Sequence, residues 1–137
     1  AVTDQGIIAG FSSRGPSFDD RIKPEVCARG VGTATASGNG VSYGSANGTS
    51  LATPLVAGAA AVLLSANPTW TPMMVRLSLM QTASQSSVPD TVYGYGIIDI
   101  WEAINVDSLL VDGIMISIDS LLKIDTTIPS EFELHQN

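Results

Sequence analysis

The chain has 137 residues, a net charge of −7 and an apolar fraction of 45%, with only 14% charged residues. The acidic balance argues against nucleic-acid binding, which needs clustered Lys and Arg. A single cysteine, Cys27, excludes an internal disulfide, and no run approaches the roughly 18 apolar residues of a membrane span. A complete domain of this length could bury roughly two thirds of its unfolded surface. The high apolar share indicates that part of this surface needs a partner segment to cover it.

The first third of the chain predicts short buried strands. Residues 6–11 form an apolar run between glycines, and residues 24–28 form a second such run; each predicts a buried strand. Short buried runs of this kind are typical of a parallel sheet. The stretch from Gly30 to Gly48 is rich in glycine and predicts a loop, with short strands at 31–35 and 41–43.

An apolar helix is predicted from Ser50 to about Ala66. Residues 55–64 carry no polar side chain, so this helix should be buried on all sides. The unpaired N–H groups of its first turn, together with the helix dipole, favour negative charge beside Ser50. A serine hydroxyl at this position can act as a nucleophile, and the neighbouring amides supply half of an oxyanion site. Gly48 leaves room for a close backbone approach.

Two further helices and a β-rich segment follow. Thr71 caps a helix predicted to begin at Pro72 and run to about residue 82. Asp99 and Glu102 fit a capping-box variant at the start of a third helix, which ends near residue 106. Residues 111–118 and 121–128 alternate loosely, which suits two antiparallel strands or one hairpin. Residues 129–137 are interpreted as a linker or tail.

Acidic residues are concentrated in the carboxy-terminal part. Residues 81–137 hold nine acids and one lysine, whereas residues 1–80 hold four acids and five bases. Four of the late acids could suggest calcium, but they lack the spacing of a calcium loop and are interpreted as a solvated face: Asp107, Asp112, Asp119 and Asp125. The sequence therefore predicts no metal site in this chain.

The segment Gly48-Thr49-Ser50-Leu51-Ala52-Thr53-Pro54 resembles the Gly-Thr-Ser-x-Ala-x-Pro signature around the nucleophile of subtilisin-like serine proteases, the subtilases. A lone Gly-Thr-Ser would be a weak signal, because many helices begin with Thr or Ser as a cap. Other segments are similar to the family in the same order along the chain: residues 11–16, 22–26, 67–68, 79–83, 93–96 and Ala103. The resemblance implies an α/β fold with a largely parallel sheet and a buried helix that starts at the nucleophile.

The resemblance also implies a function and a site. It predicts peptide-bond hydrolysis through an acyl-enzyme on Ser50, whose backbone N–H helps to hold the oxyanion. Asn47 and Gly48 would line the edge of the cleft for polypeptide substrates, and Thr49 would buttress the oxyanion site. The implied division of the chain is a carboxy-terminal portion of a subtilase catalytic domain at 1–106, a β-rich extension at 107–128, and a linker or the start of a further module at 129–137.

Two members of a catalytic triad are not recognised in this sequence. The family order is Asp, then His, then Ser, whereas the one histidine, His135, follows Ser50 and is interpreted as an exposed tail residue. We expect a longer, secreted protease, whose missing amino-terminal half holds the Asp, the His and the oxyanion Asn. The present chain alone should be inactive. No cofactor is expected in this segment, although the full-length enzyme could use calcium.

Other functions were weighed against the protease. A phosphate-binding loop before the helix is disfavoured, since no Gly-Lys-Ser/Thr is present. A non-catalytic relative that kept Ser50 but lost its base would act as a binding or structural domain. An assembly piece that folds only on docking to the missing half is a third reading, because an open parallel sheet leaves strand edges unpaired.

Two positions near the signature depart from the family pattern. Arg29 stands where the family usually has proline before Gly30, and Leu55 stands where histidine commonly follows the proline of the signature. Neither position belongs to the triad. Arg29 leaves the local turn in question, whereas an apolar residue at Leu55 suits a buried helix.

Overall fold

The computed structural model describes residues 1–111 and 114–118, with only the backbone described for 108–111 and 114–115. The described residues form three helices and two antiparallel strand pairs. In chain order these are β1 Thr33–Ala36, β2 Tyr43–Ala46, α1 Thr49–Ala66, α2 Pro72–Gln81, α3 Ile100–Ile104, β3 Ser108–Val111 and β4 Ile114–Ser117.

Parallel pairing joins three short extended segments, 1–3, 27–30 and 96–98. Val2 forms a parallel bridge with Arg29, and Cys27 forms one with Ile97. The amide of Val2 donates to the carbonyl of Ala28 at 3.0 Å. The strand predicted at 24–28 is therefore present as a single bridged residue, with parallel neighbours as expected. Cys27 is free and buried, which confirms its predicted burial.

The run at 6–11 turns back on the start of the chain instead of adding a parallel strand. Ile8 forms an antiparallel bridge with Val2, and the amide of Ala9 donates to the carbonyl of Ala1 at 2.9 Å. Gly6 adopts a φ of 78° at the bend, a conformation that glycine takes without a steric cost. The sequence showed that this run is apolar, but it did not show which segment the run pairs with or in which direction.

The glycine-rich stretch contains two short strands, as predicted, although β2 begins at Tyr43, the last residue of the strand predicted at 41–43. The two strands form a hairpin. Strands β1 and β2 pair antiparallel, with Thr33 opposite Ala46 and Ala36 opposite Tyr43. At the tip, the side-chain oxygen of Asn39 accepts hydrogen bonds from the Val41 amide and the Ser42 hydroxyl. Strand β2 ends one residue before Asn47, so the hairpin delivers the chain directly to the amino terminus of α1.

Helix α1 is buried along one face only, which corrects the prediction of burial on all sides. Its buried residues are Ala52, Ala59 and Leu63, whereas Leu55 and Val62 are 43% and 45% exposed. Helices α2 and α3 cover the buried face. No other element among the described residues packs over the remaining apolar surface, so composition alone overestimated the burial.

The main core lies where the three helices meet. Ser78 is fully buried on α2, and its hydroxyl donates to the Ala103 carbonyl of α3 at 2.9 Å. Leu63 of α1 is likewise fully buried. The buried cluster comprises Ala59, Leu63, Trp70, Met74, Val75, Leu79 and Ala103. A second, smaller cluster joins Ala52 at the start of α1 to Ala1, Ala9 and Ala28.

The predicted starts of α2 and α3 are confirmed. The Thr71 hydroxyl accepts from the Met74 amide at 3.3 Å, with Pro72 in the first turn. The Asp99 carboxylate accepts from the Glu102 amide at 3.1 Å. Both caps satisfy N–H groups that a helix leaves without internal acceptors. Capping depends on residues that are close together in sequence, which explains why the starts of both helices were predicted to within one residue.

The carboxy-terminal hairpin lies earlier than predicted. Strand β3 pairs antiparallel with β4, with Ser108 opposite Ser117 and Val111 opposite Ile114. The single strand predicted at 111–118 is therefore replaced by the end of one strand and the whole of the next. The second predicted strand, at 121–128, and the linker at 129–137 lie outside the described residues.

Helix α1 also meets a simple test for a membrane span. It has 18 residues with a mean hydropathy of 1.6, which is long and apolar enough on length and composition alone. Core helices of soluble proteins pass the same test. The contacts of Leu63 with α2 and α3 place one face of α1 in a protein core.

Candidate active site

Ser50 lies in the first turn of α1 with its side chain exposed. The residue before the helix is Gly48, whose φ of 163° and ψ of 150° are extended, and no side chain caps the helix there. A Cβ atom at Gly48 would stand 3.0 Å from the Ser50 hydroxyl oxygen. Glycine at this position therefore leaves the hydroxyl uncrowded, as well as leaving room for an approaching backbone.

The loop before Ser50 is held by Gly30, which the sequence did not single out. The Gly48 amide donates to the Gly30 carbonyl at 2.8 Å. Gly30 is buried, and a Cβ there would lie 2.7 Å from the Gly48 carbonyl oxygen, closer than real side-chain carbons come. The two glycines allow the two backbones to touch. They are eighteen positions apart in sequence, so no local pattern could have shown the contact.

Asn47 has a structural contact that the resemblance did not indicate. Its side-chain oxygen accepts a hydrogen bond from the Gly32 amide at 2.8 Å, although the residue is exposed. Thr49 is also exposed, and its carbonyl accepts from the Thr53 hydroxyl at 3.1 Å. Asn47, Gly48, Thr49 and Ser50 are thus brought together at one end of α1, where unpaired N–H groups point outward.

The described part of the chain brings no general base to Ser50. His135 lies outside the described residues, so its position relative to Ser50 stays a prediction. Within residues 1–111 and 114–118 no cluster of His, Cys, Asp or Glu could hold a metal ion. The site as described therefore consists of the exposed Ser50 hydroxyl, the loop before it and the positive end of a helix.

Comparison with known proteins identifies this arrangement. Residues 1–96 match the model of the subtilase family. The chain belongs to that family. It is 38% identical over 118 residues to the minor extracellular protease Vpr of Bacillus subtilis (strain 168), covering 77% of this chain and 15% of that protein. It is 43% identical over 103 residues to a subtilisin of Bacillus pumilus, covering 75% of this chain and 34% of that protein.

A solved structure supports the fold. The MycP3 protease from the type VII (ESX-3) secretion system superposes with a TM-score of 0.62 at 26% identity, over 78% of this chain and 31% of that protein. The chain therefore spans about a third or less of the length of these relatives. It is a subtilase α/β segment that carries the Gly-Thr-Ser signature.

A groove beside α1 is lined by Thr49 but not by Ser50. This groove, of about 570 Å³, lies between the first half of α1 and residues 23–28, and its wall includes Ala52, Val56 and Val26. A second groove, of about 370 Å³, continues between α1 and α2 past Ala60 and Val75. Both are lined mainly by apolar side chains. They follow the incompletely covered surface of α1, so we do not assign them as the substrate cleft.

The Arg76–Glu25 ion pair links the segment 23–28 to α2, and Lys23 of the same segment also pairs with Glu25. Glu25 accepts from Lys23 at 2.7 Å and from Arg76 at 2.8 Å. The hydrogen bond from Arg76 lowers the pKa of the Glu25 carboxyl group; partial burial opposes this, and Lys23 adds to the lowering. The Glu25 carbonyl also accepts from the Tyr95 amide at 2.7 Å. Glu25 thus joins three separate parts of the chain.

We expect Glu25→Gln to lower the free energy of unfolding by about 1 kcal/mol at neutral pH, because the pairs are partly exposed to solvent. A carboxyl group whose folded pKa is lowered stabilises above its unfolded pKa, and this stabilisation is lost as the pH falls through the folded pKa. The difference between Glu25→Gln and the parent should therefore shrink below about pH 4.5, the ordinary value.

Urea unfolding at neutral and acidic pH measures this difference, with the Ser50→Ala background preventing self-digestion. Asp4→Asn is the matched control, since Asp4 is exposed and none of the ion pairs found among the described residues includes it. A Glu25→Gln difference that stays constant with pH would contradict the assigned role of the carboxylate.

Proposed function

We propose that this chain is the nucleophile-bearing part of a secreted serine endopeptidase. The observation that carries the proposal is the exposed Ser50 at the amino terminus of α1, on a loop fixed through Gly48. Membership of the subtilase family supports it, as do relatives described as a subtilisin and as an extracellular protease. Because the chain spans a third or less of those relatives, the activity is proposed for a longer protein.

The proposed reaction proceeds through an acyl-enzyme. The Ser50 oxygen attacks the carbonyl carbon of the scissile peptide bond, and its proton passes to a histidine outside this chain. The negative oxygen of the tetrahedral intermediate accepts a hydrogen bond from the Ser50 amide, at the positive end of α1. The C–N bond then breaks, the amine leaves with the proton, and water hydrolyses the ester. This chemistry needs no cofactor from the chain, and any calcium would serve the rest of the enzyme.

The loop residues receive supporting roles in this proposal. Asn47 and Gly48 line the edge of the substrate cleft, and Thr49 supports the oxyanion site. Because the Asn47 side-chain oxygen already accepts from Gly32, Asn47 meets substrate through its backbone or its amide nitrogen. Gly48 leaves its backbone accessible to substrate because it has no side chain. A Cβ atom there would crowd Ser50.

The proposed partner of the chain is the amino-terminal half of the same catalytic domain. The exposed apolar residues of α1, which include Leu55, Val62 and Leu64, supply a surface for it, and the two apolar grooves run beside them. Burial of such side chains stabilises by roughly 1.5–3 kcal/mol each. That half would bring the histidine and the aspartate to Ser50.

A fluorophosphonate probe tests the proposal, because it reacts only with an activated serine. We expect the intact protein to be labelled at Ser50, as located by peptide mass spectrometry, and the 137-residue chain alone to remain unlabelled. The Ser50→Ala variant of the intact protein is the control for labelling elsewhere.

The outcomes separate the alternatives. A folded intact protein that is not labelled would favour the non-catalytic binding domain, whose motivation is the lack of a base beside Ser50 among the described residues. Rapid labelling of the chain by itself would show that a base lies within it, and would overturn the division of the active site between two halves.

A further inference from the structure

Arg29 is the only charged side chain between residues 26 and 75, and it folds back over the turn that follows it. Its Nε atom donates to the Val31 carbonyl at 3.0 Å, and its Nη2 atom donates to the Gly32 carbonyl at 2.9 Å. The Thr33 hydroxyl in turn donates to the Arg29 carbonyl at 3.3 Å. The guanidinium group thus closes a turn made of Gly30, Val31 and Gly32.

The same turn holds the loop that carries the nucleophile. On one side, the Gly30 carbonyl accepts from the Gly48 amide at 2.8 Å. On the other, the Gly32 amide donates to the Asn47 side-chain oxygen at 2.8 Å. Asn47 and Gly48 stand immediately before the helix that carries Ser50. Movement of the turn would therefore be transmitted through two hydrogen bonds to the residues that fix Ser50.

The turn needs an external restraint because two of its three residues are glycine. Glycine has more backbone freedom than any other residue, and Gly32 adopts a φ of 62°. The planar guanidinium group of arginine donates in a fixed fork, which suits two carbonyls, whereas a lysine ammonium is a flexible point charge. Bonds to the Val31 and Gly32 carbonyls from one rigid group fix their relative orientation.

We propose that Arg29 is a positioning residue for Ser50, which acts by holding the turn 30–32 against the nucleophile loop. The inference rests on the proposed protease function. It also explains the departure from the family pattern, in which proline usually precedes this glycine. Proline restrains a turn by fixing its own φ, and the Arg29 amide donates no hydrogen bond in the described part of the chain. Arginine replaces that covalent restraint with two hydrogen bonds.

The test uses the intact enzyme and four variants. Arg29→Met keeps the apolar stem, Arg29→Lys keeps the charge without the fork, and Arg29→Pro supplies the alternative restraint. Arg14→Met is the matched control, since Arg14 is exposed and no described residue is seen to accept a hydrogen bond from it. The rate of fluorophosphonate labelling, kcat and KM for a peptide substrate, and the thermal midpoint are measured for each.

We expect Arg29→Met and Arg29→Lys to reduce the labelling rate and kcat by roughly 10- to 100-fold, the scale of a small misplacement of reacting groups, with KM changed by less than about threefold. Arg29→Pro should retain at least half of the parent rate, and Arg14→Met should match the parent. Equal rates in parent and Arg29→Met would overturn the inference. So would a normal Arg29→Lys, which would assign the effect to charge, or an Arg29→Pro variant as slow as Arg29→Met.

Two readouts keep other failures distinct. If the parent itself is not labelled, the proposed function fails, and the positioning role of Arg29 fails with it because it rests on that function. If Arg29→Met has a lowered thermal midpoint, the labelling rate is measured well below the transition. A parent-like rate there overturns the positioning role, and a reduced rate supports it.

Discussion

Replacement of Ser50 with alanine is expected to lower the turnover of the intact enzyme by about 10⁶, the scale known for loss of the nucleophile in subtilisin. The reason is that no acyl-enzyme can form without the hydroxyl, and the remaining rate comes from the helix-end amides and substrate binding alone. Because Ser50 is exposed, the change should leave the fold intact.

Single-turnover and steady-state hydrolysis of a chromogenic peptide measure this loss. The affinity for a peptide inhibitor that does not react with serine shows whether the substrate cleft is intact. Ser45→Ala is the matched control, since Ser45 lies on β2 five residues away and is also exposed. We expect inhibitor affinity to stay within a few fold for both variants. A Ser50→Ala enzyme with more than a hundredth of the parent activity would mean that another residue is the nucleophile.

The neighbourhood of Ser50 was predictable because its signals are local. Glycine, a hydroxyl residue and a proline in the first turn mark a helix start, and the order of the other landmarks narrowed this to one family. The same is true of Thr71 and Asp99, whose caps were found in the structure as expected. Each signal spans a few residues, and its physical cause acts over the same distance.

The turn 30–32, which contacts the loop before Ser50, was not predictable for the opposite reason. Gly30 and Arg29 act on residues 47 and 48 through contacts between separate parts of the chain. Arg29 was noticed only as a departure from a family pattern, which gave no hint of its two carbonyl partners. The presence of a glycine in the sequence does not show which other backbone segment packs against it.

The burial of α1 was overestimated, because the sequence does not show which elements pack against it. The apolar run of α1 has the composition of a fully buried helix, yet in the described chain it is covered on one face. A uniform apolar pattern indicates that the helix surface should be covered, but it does not show which segment covers it. The hairpin β3–β4 was placed too late, because one strand was predicted over 111–118, whereas β3 ends at Val111 and β4 begins at Ile114.

Gly30→Ala is the second change with a large expected effect. Its new Cβ would lie 2.7 Å from the Gly48 carbonyl oxygen and 2.7 Å from the Ala1 Cβ atom, so the added methyl group is crowded from two sides. Relief on the Gly48 side requires the loop before Ser50 to move away from the turn, which breaks the 2.8 Å hydrogen bond between the Gly48 amide and the Gly30 carbonyl. We expect the free energy of unfolding to fall by about 2–3 kcal/mol, the usual cost of forcing extra volume into a packed site.

The displacement should also lower the catalytic rate, because the loop that moves leads into Ser50, the proposed nucleophile. Fluorophosphonate labelling at Ser50 should slow by roughly 100-fold at temperatures where the variant remains folded. Gly38→Ala is the matched control: it adds the same methyl group in the adjoining hairpin, where no heavy atom lies within 4 Å, so its stability should stay within about 0.5 kcal/mol of the parent. Urea unfolding in the Ser50→Ala background gives the first quantity and labelling of the active enzyme gives the second. If Gly30→Ala behaves like Gly38→Ala in both, the turn does not hold the nucleophile loop; if stability alone falls, the contact supports the fold without setting the position of Ser50.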